Sequence, residues 1–239
     1  MDTEKHFLLI HNDYHTTWVG LFCGFFCVEK TECDNKKISA ELFLTIQTLL
    51  QKNNLSLKAI SFCAANQGPG PFTTIRVIIA SLNGLSYVTN LPIVGVNCIK
   101  TLAHEHADLS SDSSYEYTIA LANAFCNDVY YGIIDTKNKS YSEGCMSFES
   151  ILAHIQSLHT YSLRIVGLIS EEQKNKLMIC APADIGIKRS YFENKNSHAA
   201  SLEAMGKQAY IQWLAQENVT DQLLPLYFKS AAPIMNSRK

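Results

Sequence analysis

The residues with the strongest claim to chemistry form one run: Asn66-Gln67-Gly68-Pro69-Gly70-Pro71-Phe72-Thr73-Thr74-Ile75-Arg76. Glycines at 68 and 70 can take positive φ and let other backbone come close. Prolines at 69 and 71 hold φ near −65°, and Pro71 suits the first position of a helix. A stiff turn that opens a helix leaves free N–H groups facing outward, which can hold an anion. The same residues also make a rigid connector with no ligand, and both readings stand. No Lys follows the second glycine, so the run is not a Walker loop. Thr73 occupies the third glycine position of Gly-x-Gly-x-x-Gly, so it is not a dinucleotide fingerprint. Gly68, Gly70, Thr73 and Arg76 are the candidate anion contacts. Arg76, one turn into the helix, can bind an anion, but an intramolecular partner that ties the helix start to the second half is the favoured reading.

Other candidates are weaker. His104-Glu105-His106 places its histidines at i and i+2, which face apart on a helix, and reads as a solvated surface turn. No Gly-x-Ser-x-Gly elbow and no suitably spaced carboxylate pair is present. Eight cysteines occur without a Cys-x-x-Cys pair, so zinc and thioredoxin-type sites are not expected. Cys63 and Cys98 lie in apolar runs and read as small hydrophobes. No metal, cofactor or catalytic residue is expected.

An apolar run at 59–65 leads into the turn as a strand, and 72–88 leaves it as an apolar helix. Strands are expected at 7–10, 17–22 and 25–29, with Cys23-Gly24 as a tight turn. Ser39 caps a helix carrying Leu42, Ile46, Leu49 and Leu50 on one face. The order is β-β-β-α-β-α-β. A polar linker at 104–116 divides the chain near residue 112, giving halves at 1–111 and 112–239. The second half reads as strands at 117–122, 129–135, 162–168 and 178–181, with helices at 148–158 and 198–216. Hydrophobic residues make up 47% of 239, enough for two cores, and the net charge of −2 gives no footprint for autonomous nucleic-acid binding. Free thiols and the lack of any apolar run of roughly 18 residues point to a cytoplasmic, non-membrane protein.

The central run resembles the Gly-Pro-Gly-Ser-Phe-Thr-Gly-(Leu/Val)-Arg signature of the TsaB (YeaZ) family. Leu91-Pro92-Ile93-Val94-Gly95-Val96 and Leu224-Pro225-Leu226-Tyr227-Phe228-Lys229 resemble two further family segments in the same order. Pro71 and Thr74 depart from the signature's Ser and Gly. The resemblance implies a two-subdomain α/β fold of the actin, Hsp70 and sugar-kinase type, each half a mixed sheet with packed helices. It implies a non-catalytic subunit that pairs with a TsaD-like subunit, and with a TsaE-like ATPase, to support threonylcarbamoyl transfer to a tRNA adenosine. tRNA is then met only through the complex. Catalytic relatives carry Asp at the end of the first strand. Here that position is His11, and Asp13 lies two residues on. The Asp-Ala-Arg of the family becomes Asn123-Ala124-Phe125. The family's partner surface is carried by the first two helices, which puts Leu42, Ile46, Ile75, Ile78, Ile79 and Leu82 at the interface, or at a self-dimer when TsaD is absent. The apolar content of the second helix exceeds what one sheet needs, which fits that expectation. The alternative is a stand-alone ATPase or phosphotransferase using the Gly68–Pro71 turn on a phosphate.

Overall fold

A computed structural model describes residues 4–108, 115–124, 126–158, 160, 162–179, 190–191 and 199–228. The expected division near residue 112 lies outside them.

The chain opens with β1 (His6–Asn12), β2 (Thr17–Cys23) and β3 (Phe26–Cys33), a meander whose β2–β3 turn is Gly24-Phe25. Helix α1 (Ile38–Lys52), β4 (Ile60–Gly68), α2 (Phe72–Thr89), β5 (Ile93–Asn97) and α3 (Cys98–Asp108) follow. The later part runs β6 (Tyr117–Asn123), β7 (Asp128–Asp135), β8 (Ser140–Ser147), α4 (Phe148–Ser157), β9 (Leu163–Leu168), α5 (Glu171–Ile179), β10 (Ser190–Tyr191), α6 (Leu202–Ala215) and β11 (Val219–Thr220).

Two mixed sheets result, ordered β11-β5-β4-β1-β2-β3 and β10-β9-β6-β7-β8. In each, an antiparallel meander continues through its first strand into parallel pairing, β1 with β4 and β6 with β9. The two sheets thus repeat one topology, which is the actin-like arrangement that the resemblance implied.

Alternation along β1 builds both sides of the first sheet. Leu8 and Ile10 face α1 and α2, whereas Phe7 and Leu9 face α3 and α6. A stack of Phe7 on Phe22 and Phe62 fills the second side, with ring centroids 5.0 and 4.4 Å apart. Helix α3 packs against strands of both sheets and against α6, so it lies between the layers. The second sheet's other face is closed by Phe148 and Ile151 of α4 and Leu177 of α5. Although they come from the end of the chain, α6 and β11 complete the first sheet's layer.

Several expectations are corrected. His104–His106 is the last part of α3 and not a surface turn: Cys98, Ile99, Leu102 and Ala103 are buried at helical spacing between the sheets, and that apolar stripe outweighs the polar residues beside it. Met178 and Ile179 end α5 instead of opening a strand, and residues 180–181 lie outside the described ones. The first helix begins at Ile38, with Lys37 and not Ser39 at the cap position. The last helix begins at Leu202, where the Ser201 side chain accepts the Ala204 N–H; His198 lies outside the described residues. Strand β8 (Ser-Tyr-Ser-Glu-Gly-Cys-Met-Ser) carries little strand preference in its sequence, and pairing with β7 along its whole length forms it.

Candidate functional site

The signature turn joins β4 to α2 as expected, but its mouth is filled. Gly68 has φ of +126°, and a Cβ there would stand 3.3 Å from the Leu226 carbonyl oxygen. Gly70 does not use positive φ; a Cβ there would stand 2.9 Å from the end of the Ile75 side chain, which would have to shift. Pro71 sits one residue before the helix, at the cap position, with φ of −58° and no side-chain cap. Asn66 braces the turn from beneath. Its Oδ1 accepts the Gly68 N–H at 2.9 Å, and its Nδ2 donates to the Asn12 carbonyl at 3.1 Å.

What covers the turn is the chain's own segment Leu223–Phe228. The Gln67 carbonyl accepts the Leu226 N–H at 2.8 Å, and Gln67 Nε2 donates to the Leu224 carbonyl at 2.8 Å. The cavity left among Gln67, Gly68, Gly70, Phe72, Pro225, Leu226 and Tyr227 is small, about 30 Å³. Arg76 donates through Nε to the Tyr227 hydroxyl at 3.0 Å, and its guanidinium lies 3.8 Å from the Phe72 ring centroid. The expected tie between Arg76 and a later segment is therefore present, made with a phenol and not a carboxylate. Thr73 is exposed.

His11 closes the tip of β1. It is 1% exposed, and its Nε2 lies 2.8 Å from the Ala200 carbonyl oxygen. A carbonyl only accepts, so Nε2 carries the proton and Nδ1 is a bare acceptor without a partner. Burial pushes the imidazole pKa down to about 4. Asp13 does not substitute for a first-strand carboxylate: its Oδ1 accepts the N–H groups of His15 and Thr16, and its Oδ2 accepts Trp18 Nε1 at 2.9 Å. Burial also raises the Cys98 thiol to about 12, as it does Cys63, in keeping with their reading as small hydrophobes. No group of three or more metal-ligating side chains occurs among the described residues.

The six side chains expected at a partner interface are all core. Leu42, Ile46, Ile75, Ile78, Ile79 and Leu82 are at most 4% exposed. They pack between the first sheet, α1 and α2. Most of the apolar surplus of α2 is absorbed because α1 covers the flank that the sheet leaves, and Val88 at its end is exposed. What α1 and α2 present outward is different. A groove of about 340 Å³ is lined by Phe43, Gln47, Leu55, Leu57 and Leu85 among others. Phe43 is 48% exposed, and Leu44, Tyr87 and Val88 are also exposed. Sequence periodicity picks out the buried stripe; the outward residues have no such signal.

Comparison with known proteins matches residues 32–173 to the family model "TsaD: tRNA N6-adenosine threonylcarbamoyltransferase". The tRNA threonylcarbamoyladenosine biosynthesis protein TsaB of Buchnera aphidicola subsp. Baizongia pistaciae is 33% identical over 75 residues, 31% of this chain and 34% of that protein. The protein of the same name from Escherichia coli K12 is 36% identical over 58 residues, 24% of this chain and 25% of that one. The chain thus aligns with less than half the length of these curated relatives. The solved structure of YeaZ from Pseudomonas aeruginosa superposes with a TM-score of 0.67 at 19% identity, covering 93% of this chain and all of that one. That likeness establishes the fold.

Proposed function

The chain belongs to the family of that model and, within it, to the TsaB (YeaZ) proteins; on that premise we propose that it is a non-catalytic subunit in tRNA threonylcarbamoyladenosine biosynthesis. It pairs with a TsaD-like subunit through the outward faces of α1 and α2, works with a TsaE-like ATPase, and meets tRNA only within the complex, in the cytoplasm. The observation that carries the reading is the tip of β1. A neutral, buried histidine held to the Ala200 carbonyl stands where a phosphate-and-metal chemistry needs a free carboxylate, and magnesium prefers carboxylate and phosphate oxygens. Asp13 is engaged by its own turn and by Trp18. The covered Gly68–Pro71 turn argues the same way against a stand-alone phosphotransferase.

The partner surface moves from the buried stripe to the groove around Phe43. An apolar groove with half-exposed Phe43 on its wall suits a helical partner surface. Titration calorimetry with a TsaD-like subunit tests it. Phe43→Glu is expected to weaken association by about 2 kcal/mol or more while circular dichroism is unchanged. Unaltered affinity in a folded variant places the interface elsewhere. Phosphate release from ATP by the chain alone, lost on replacing Gly70, would instead favour the phosphotransferase.

A further inference from the structure

The seat beneath Leu223–Phe228 has the features of a peptide-binding site. Recognition of the segment is mainly of backbone groups. Asn83 of α2 grips Leu223 with both ends of its amide: Oδ1 accepts the Leu223 N–H and Nδ2 donates to the Leu223 carbonyl, each at 2.9 Å. Gln67 repeats this one step on, its side chain donating to the Leu224 carbonyl and its own carbonyl accepting the Leu226 N–H. Paired backbone contacts of this kind read an extended chain and give little sequence preference; pockets for particular side chains add that preference. Two such contacts are present. Leu223 is 1% exposed in the core under α2, and Tyr227 meets Arg76 and Phe72 at the helix start. Pro225 between them holds the segment extended. The positive φ of Gly68 and its lack of a Cβ let the Leu226 backbone lie directly on the turn.

We propose that the turn and the adjoining face of α2 form a binding site for an extended peptide of Leu-x-Pro-x-Tyr pattern, filled in this structure by the chain's own segment, which exchanges with solvent without unfolding the rest. The hold is light. Leu223 is its one fully buried side chain, Phe228 is partly buried against the core and Tyr130, Leu224 is 67% and Tyr227 52% exposed, and a handful of hydrogen bonds opposes the ordering of the segment. Segments with few buried apolar contacts open locally at far lower cost than the core. This inference does not depend on the partner or pathway proposed above.

The test uses the full chain carrying Leu226→Pro and Tyr227→Ala. These changes remove the N–H that Gln67 accepts and the ring that Arg76 meets, and leave the seat unchanged. A labelled peptide of residues 221–228 is titrated in by fluorescence anisotropy. Saturable binding to this variant, at least tenfold weaker binding to the unmodified chain whose own segment competes, and a tenfold loss on adding Asn83→Ala are expected. No saturable binding to a variant that keeps its circular dichroism, or equal binding to variant and unmodified chain, overturns the proposal. If the variant does not fold, hydrogen exchange on the unmodified chain decides. The Leu223 and Leu226 amides should exchange at least a hundredfold faster than those of Leu8 and Ile10. Exchange only together with that core makes the segment a fixed part of the fold and the proposal fails.

Discussion

His11 is neutral because it is buried, and that choice has a pH signature. The neighbouring carboxylates Asp13 and Glu203 and the Ala200 carbonyl favour the charged ring, but desolvation is the larger influence and leaves a pKa of about 4. In the unfolded chain the imidazole titrates near 6.5, so below that pH the unfolded state takes up a proton that the native state refuses. Stability from this group is complete above about pH 6.5 and is lost progressively as pH falls to about 4. The loss reaches about 3 kcal/mol at 1.36 kcal/mol per unit. His11→Gln keeps an N–H for the Ala200 carbonyl and does not titrate. Urea unfolding at pH 7 and pH 4.5 should show a clearly smaller acid loss for this variant. Equal losses for both proteins would assign the acid sensitivity to other groups.

At the scale of elements, the strand–turn–helix around Gly68 was legible because its punctuation is backbone chemistry: glycine and proline state their own dihedral preferences. The occupant of the turn was not legible. Leu223–Phe228 has no periodicity, and its place depends on Asn83 and Gln67, residues that carry no signal for a contact so distant in sequence. Helix α3 was hidden by its two histidines and glutamate, and the outward residues of α1 and α2 by the stronger stripe beneath them. Gly68→Ala tests the turn directly. It puts a side chain at φ of +126° and a Cβ against the Leu226 carbonyl. A loss of about 1–3 kcal/mol is expected from the strained backbone. The Leu226 amide should also exchange faster than in the unmodified chain. A variant with unchanged melting and unchanged Leu226 exchange would show that the turn relaxes freely.

Over the whole molecule, the duplicated topology invites a picture of two independent halves, but the connections oppose it. The first sheet lacks one cover until α6 arrives from the end of the chain, placing Met205, Ala209 and Tyr210 on the Phe7, Phe22 and Phe62 stack, and β11 then pairs with β5. Helix α3 belongs to both layers, and Asn97 at its start donates to Glu143 of the second sheet at 2.7 Å. Ser201, the cap of α6, donates its N–H to Glu105 of α3 at 2.9 Å. Removing the second layer would strip α3 of one side and detach the route to α6, exposing the aromatic stack to water. The two layers should therefore unfold together. Both tryptophans, Trp18 on β2 and Trp213 on α6, report on the first layer, with Trp213 stacked on Phe62 at 4.5 Å. Far-ultraviolet circular dichroism reports on helices and strands of both. In a urea titration the fluorescence and circular dichroism curves should superimpose with one midpoint, the mark of a single cooperative unit. A dichroism change that precedes the fluorescence change would mean that the second sheet melts alone, and that α3 and α6 hold to the first layer without it.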